Sequence, residues 1–220
     1  MNLEPVLAVG ATGNRDLRPE DEPRLAALVA AELDRLARRY PGTRRRIVSP
    51  LAEGADRWIA RAGLAAGWPL VAVLPLPRAE YERDFATAAS RAEFARLLAA
   101  AEEIEEPVEL SSGAAGADAG ARALAYRAAG DRVSALAAVM IALWNGVATA
   151  KPGGTWEVLE RRGERPAVSI LAPRASDPRT AGPPFTVRRS PADPEEFHRQ
   201  VGVAILTSAE PALPRRGDAR

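Results

Sequence analysis

The sequence predicts an α/β fold with a mostly parallel sheet and helices on both faces. Three observations carry that expectation. Short apolar runs alternate with segments of helical period over most of the chain. Three of those runs end in glycine-rich turns: VLAVGATGNRDL at Val6–Leu17, IVSPLAEGAD at Ile47–Asp56, and VMIALWNG followed by KPGGTWE within Val139–Glu157. Leu70–Leu74 is apolar without alternation, as expected of a strand covered on both sides. Strands that alternate with helices return in the same direction, which gives a parallel sheet.

In chain order, Val6–Val9 reads as the first strand. Arg24–Tyr40 places Leu25, Leu28, Val29, Leu33 and Leu36 at a helical period, and Pro41 and Gly42 stop it. Arg46–Val48 is a second strand, Ala55–Ala66 a helix stopped by Gly67, and Leu70–Leu74 the third strand. Glu80–Glu106 reads as a helix broken near Ser90, which could cap a second segment. Val108–Leu110 reads as a short strand, and Asp118–Val133 as an alanine-rich helix interrupted by Gly130. Ala138–Trp144 is the clearest strand. Thr155–Arg162 reads as a helix and Ala167–Leu171 as the next strand. Residues 1–173 form the expected ligand-binding domain. Residues 174–220 read as a proline- and arginine-rich extension, with an edge strand near Phe185–Val187 and one helix at Glu195–Leu206. The last ten residues are expected to be disordered.

Composition narrows the function classes. A chain of 220 residues that is 47% hydrophobic can bury a sizeable core, and its net charge of +1 gives no global field toward nucleic acid or membrane. Of 30 basic residues only Lys151 is lysine, a bias that reads as genomic base composition. There is no cysteine, hence no disulfide and no thiolate chemistry. One histidine, His198, argues against a histidine-rich zinc site or a serine–histidine–aspartate triad. No cofactor and no metal ion are expected. The start MNLEPV is unlike a signal peptide, and Val133–Trp144 is too short to cross a bilayer, so the expected location is cytoplasmic.

The turns carry the candidate chemistry. In the first, Gly10 and Gly13 give room for a ligand, while the Thr12 hydroxyl and the Arg15 fork suit phosphate or ribose. In the second, Ser49, Glu53 and Gly54 stand where a helix begins. Glu53 and Asp56 there also suit the positive helix end. In the third, Gly153 and Gly154 allow close backbone approach, and Thr155 opens a helix whose free amides favour an anion. Glu157 is expected to face the crevice from the first helical turn, either as a catalytic carboxylate or as compensation for the helix dipole. Arg132 either completes an anionic pocket or forms a structural ion pair. Tyr81 reads as a ring for stacking on a base or as packing, and Asp84 as an acceptor for a hydroxyl.

The order VGATGNRDL, then IVSPLAEGADRWIARAGLAAGWPLVAVLPLPRAEY, then AGDRVSALAAVMIALWNG, then KPGGTWE resembles the SLOG superfamily. That group includes DNA-processing protein A (DprA) and the LOG nucleotide-processing proteins. The likeness covers Val6 to about Pro173, with Asn14 standing where histidine is expected. It implies a Rossmann-like sheet that binds a nucleotide or nucleotide-derived small molecule at its C-terminal edge, and a homodimer in many members. LOG proteins are phosphoribohydrolases with a PGGxGTxxE motif. Pro152-Gly153-Gly154-Thr155 lacks the inserted glycine, and Glu157 falls one residue early. The expected functions are therefore ligand sensing or LOG-like N-glycosidic hydrolysis, with Glu157 and Arg132 as catalytic residues. The alternative is single-stranded DNA binding like that of DprA, in whose RNR stretch the second arginine resembles Arg132. No long basic or aromatic strip accompanies it, so nucleic acid is not an expected partner.

Overall fold

The computed structural model describes residues 3–107, 119–149, 152–178, 185–208 and 210–211. Leu3–Glu4 (β1) pairs antiparallel with Glu210–Pro211. Val6–Gly13 (β2) is the central strand of the main sheet, followed by α1 (Glu22–Arg39), β3 (Arg44–Ser49), α2 (Ala55–Ala65) and β4 (Leu70–Val73). Next come α3 (Arg78–Tyr81), α4 (Ala88–Ala100), β5 (Glu103–Glu105), α5 (Ala119–Leu136) and β6 (Val139–Trp144). The chain continues through α6 (Thr155–Arg162), β7 (Ala167–Leu171), β8 (Thr186–Ser190), α7 (Pro194–Thr207) and β9 (Glu210–Pro211).

The seven-stranded sheet has the order β5-β4-β3-β2-β6-β7-β8. All pairs are parallel except β7–β8. From β2 the chain builds outward on one side through β3, β4 and β5. It then crosses to β6 on the other side. The reversal lies between β2 and β6, where diverging connections leave a crevice at the C-terminal strand ends.

Alternation along β2 feeds two cores. Leu7, Val9 and Ala11 join the side packed by α1, α2, α4 and α7, where Leu25, Leu33, Ile59, Phe94 and Phe197 are buried. Val6 and Ala8 join the side covered by α5 and α6 through Ala129, Val133 and Val158. The segment read as an extension thus supplies an edge strand and a helix to this sheet and core.

Several boundaries differ from expectation for physical reasons. The first strand runs through its glycines to Gly13 instead of stopping at Val9. A Cβ on Gly10 would stand 2.3 Å from Met140 Sδ and 2.8 Å from Ala137 Cβ, so this glycine lets β6 and the end of α5 close onto the strand. The expected helix Glu80–Glu106 breaks at Phe85–Thr87. The cap is Thr87, whose hydroxyl accepts the Ser90 amide at 3.0 Å, while Glu103–Glu105 forms an edge strand. Val108–Leu110, Lys151 and the last nine residues lie outside the described ones.

Buried Arg162 braces one side of the sheet. Its guanidinium donates to the carbonyls of Ser134, Ala137, Ala138 and Pro166 and to the Ser134 hydroxyl. The carbonyls of Ser134 and Ala137 lie at the end of α5, where intrahelical partners run out. Burial lowers the Arg162 pKa to about 9. His198 is also structural. Its Nδ1 lies 2.9 Å from the Tyr40 hydroxyl and its Nε2 lies 3.0 Å from Arg35 Nη1. Burial, together with Arg35, lowers its pKa.

Candidate functional site

A cavity of about 580 Å³ opens at the C-terminal ends of β2 and β6, at the point of strand-order reversal. It is walled by the loop after β2, the start of α2, Tyr81, one face of α5 and the segment from Trp144 to the start of α6. Of the residues singled out in the sequence, Thr12, Gly13, Arg15, Gly153, Gly154 and Thr155 meet here. The first and third glycine turns therefore converge.

Arg15 is held in place by its neighbours. The Asn145 amide donates to the Asn14 side chain at 2.9 Å, and the Asn14 amide donates to the Leu143 carbonyl at 2.9 Å. On the other side Arg174 donates to Asp16 at 2.7 Å, and Ser176 donates to the same carboxylate at 3.0 Å. Between these two anchors, exposed Arg15 lies over the Tyr126 ring, 5.1 Å from its centre. Cleft arginines Arg122 and Arg174 are paired with carboxylates, whereas Arg15 has no carboxylate ion pair among the described residues.

The N-terminus of α6 lines the same cavity. Its cap residue, Gly154, has no side chain, and among the described residues no side-chain group caps the first amides of the helix. Gly153 has φ +69°, and a Cβ there would meet Tyr126 Cβ at 2.9 Å and the Arg127 amide nitrogen at 3.0 Å. This glycine seats the loop on α5.

Below the rim, several polar groups lack partners among the described residues. Asp56 is 6% exposed, and its Oδ1 accepts no hydrogen bond from the described residues. Burial raises the pKa of this carboxyl from 3.8 to about 7, despite the lowering influence of Arg15, the Ala52 backbone and Arg57. Fully buried Tyr81 also lines the cleft with an unpartnered hydroxyl, and burial raises its pKa. Trp144 Nε1 is unpartnered too, and the Trp144 ring lies 6.2 Å from that of Trp156 at a 30° tilt.

Other expected site residues stand elsewhere. Gly10 is interior to β2. Ser49 is buried, accepting the Leu51 amide and donating to the Asp56 carbonyl, both at 3.1 Å. Gly54 has φ +76°, and a Cβ would stand 2.3 Å from the Arg15 carbonyl oxygen, so it packs against the first loop from behind. Glu53 accepts from the Ser90 hydroxyl. Glu157 does not line the cleft. Its carboxylate accepts the Gly153 amide at 2.5 Å and pairs with Arg127 at 2.7 Å, and these contacts hold its pKa below the usual range. Arg132 lies outside the cleft and pairs with Glu105 at 2.8 Å. The expected crevice-facing roles of Glu157 and Arg132 are thus replaced by a loop tie and a surface ion pair.

Sequence reasoning passed over Arg122, Tyr126 and Trp156. The first two sit one turn apart on α5. Arg122 donates to Glu80 at 2.8 Å and also to Asp84, which in turn accepts from Tyr126. Asp84, expected to accept a hydroxyl, accepts that of Tyr126, a group of the protein itself. Only the spacing of Arg122 and Tyr126 could have marked them, and the alanine-rich helix hides it. Among the described residues no three histidine, aspartate or glutamate side chains gather as metal ligands. No helix among them is long and apolar enough to cross a membrane.

No family model and no curated protein matches this sequence. The structure is similar to that of DNA processing protein A (DprA) from Streptococcus pneumoniae, with 17% identity over 79% of this chain and 52% of that one, at a TM-score of 0.47. It is also similar to DNA processing protein A from Helicobacter pylori, with 18% identity over 78% of this chain and 67% of that one, at a TM-score of 0.45. The chain spans about half the length of the first. The likeness is one of fold, the Rossmann-like α/β sheet that the strand order establishes. The second structure is described as showing a single-stranded DNA binding mode. The expectation that sets nucleic acid aside as a partner is corrected on that finding.

Proposed function

We propose that the cleft binds a nucleotidyl group, with its phosphate between Arg15 and the N-terminus of α6. One observation carries the reading. The loop after β2 is fixed on both sides, and it presents an arginine without a carboxylate ion pair, among the described residues, on the same cavity as a helix start without a side-chain cap. Each feature favours an anion: the fork gives bidentate bonds to phosphate oxygens, and the helix start gives amides and a positive dipole end. The cavity, about 580 Å³, falls in the size range of small-molecule sites. Tyr126, Trp144 and Trp156 offer rings for a base.

The same rings support a second reading, in which the nucleotidyl group belongs to a single strand of nucleic acid. Stacking on aromatic rings tolerates any base. Glycosidic hydrolysis draws no support from Glu157, whose carboxylate is committed to Gly153 and Arg127.

Calorimetric titration with nucleoside 5′-monophosphates and with a short single-stranded oligonucleotide separates the two readings. Arg15→Ala should weaken binding by about 10–100-fold, the worth of one lost charge-assisted phosphate contact. Affinity unchanged by that substitution refutes the phosphate placement. Tighter binding of the oligonucleotide, with steep salt dependence, selects the strand reading.

A further inference from the structure

The floor of the cleft is built differently from its rim. The rim offers positive charge; the floor offers an acceptor beside a hydroxyl. Asp56 lies in the first turn of α2, directly after Gly54, whose φ of +76° and close approach to the Arg15 carbonyl fix where that helix begins. Ser49, at the end of β3, accepts from Leu51 and donates to the Asp56 carbonyl, which fixes the backbone below. The carboxylate therefore has little freedom to seek another partner.

Its buried neighbours leave it unsatisfied. Arg57, next in sequence, makes no hydrogen bond to it: it donates to the Leu51 and Ser90 carbonyls and pairs with Glu93 at 3.0 Å, under the Phe85 ring, with its Nη2 unpartnered among the described residues. The Tyr81 ring packs edge-on against Phe85 and Phe94, at 5.0 Å and 5.5 Å, which fixes the position of its hydroxyl. Asp56 and Tyr81 both line one cavity, and Asp56 Oδ1 and Tyr81 OH are buried polar atoms without partners among the described residues. An unsatisfied buried polar group is costly, and a ligand group of matching chemistry would offset that cost.

We infer that Asp56 and Tyr81 form a donor-reading subsite, in which Asp56 Oδ1 accepts an O–H or N–H from the neutral part of the bound nucleotide. This rests on the nucleotide reading above and deepens it. The carboxylate has only acceptor lone pairs, and Tyr81 can donate as well as accept. The matching ligand group is a sugar hydroxyl or an exocyclic amine. It would have to reach down from a phosphate held at the rim by Arg15. A phosphate could not sit here, since it would face a carboxylate in a desolvated site. Asp56 thus decides which nucleotides fit, while Arg15 decides that an anion fits.

The test is a calorimetric panel at pH 8. It comprises the four ribonucleoside 5′-monophosphates, their 2′-deoxy counterparts, and purine riboside 5′-monophosphate. Uridine monophosphate and purine riboside monophosphate carry no exocyclic amine. With the wild-type protein, removing the recognised donor should weaken binding about tenfold or more, in the sugar arm or in the amine arm. In Asp56→Asn and in Tyr81→Phe that discrimination should shrink toward unity. Tyr81→Phe keeps the ring packing, so it remains informative if the first variant folds poorly. Equal binding of every member by the wild type, or discrimination that survives both substitutions, overturns the subsite. If binding is sensitive to Arg15→Ala but indifferent to the donor, the subsite falls and the phosphate reading stands. Binding by no member overturns both.

Discussion

Asp56→Asn should gain stability relative to the wild type as pH rises, and the size of the gain follows from the site. Burial moves the Asp56 pKa from 3.8 in the open chain to about 7 in the fold. Between those values the folded protein holds a proton that the unfolded chain has released. Stability contributed by this group therefore falls as pH rises from 4 to 7, then stays low. From pH 5 to pH 8 the unfolded carboxyl is ionised throughout, while the folded one gives up its proton near 7. That interval covers roughly two pKa units, and at about 1.4 kcal/mol per unit the loss is about 3 kcal/mol. Asparagine carries no such proton. The stability of Asp56→Asn relative to wild type should therefore rise by about 3 kcal/mol between pH 5 and pH 8. For a chain of this size that is about 5–10 °C in melting temperature. Urea titrations of both proteins at the two pH values read the difference directly. All other titrating groups are common to the pair and cancel. A stability difference that does not change with pH, or that shrinks as pH rises, refutes the buried, unsatisfied carboxylate.

Other outcomes follow from the packing. Gly10→Ala should lose about 1–3 kcal/mol in urea unfolding, since its methyl would press on Met140 and Ala137. Gly202→Ala is the contrast: nothing lies within 4 Å of a Cβ there, so the same change inside α7 should gain about 0.5–1 kcal/mol. Arg162→Met leaves the carbonyls of Ser134, Ala137, Ala138 and Pro166 without their buried donor and should cost about 3–5 kcal/mol by the same measurement. Glu157→Gln should speed hydrogen exchange at the Gly153 amide, because the charged acceptor of that N–H is lost. Unchanged exchange there would remove the loop tie.

The fold was legible because its signal is hydrophobic. β6 and the helix α1 announce themselves through an unbroken apolar run and a helical period, and both lie close to where the sequence places them. The edge strand β5 was not legible. It is three residues of Glu-Ile-Glu, whose pairing with β4 comes from the sheet and not from propensity. In the site, Arg15 and the turn before α6 could be read because chemistry and backbone need coincide there. The other glycines misled. A missing Cβ signals close approach of something, and at Gly10 and Gly54 that something is the protein itself. Glu157 misled likewise, since a carboxylate in the first turn of a helix serves a loop amide as readily as a ligand. Tyr126 and Arg122 were hidden because α5 has almost no polar–apolar contrast to orient it.

The brace on the first loop has a consequence for how this chain can be shortened. Arg174, Ser176 and Asp177 reach back to Asp16 and Asn145 from beyond the last parallel strand. A version ending at residue 173 would keep every parallel strand and both cleft-forming turns. It would nevertheless release one end of the Asn14–Asp16 tripeptide, so that capturing a guest would first require freezing a wandering arm. The proposed recognition would thus be wired to the segment after β7, which contributes only Arg174 to the cleft wall among the described residues.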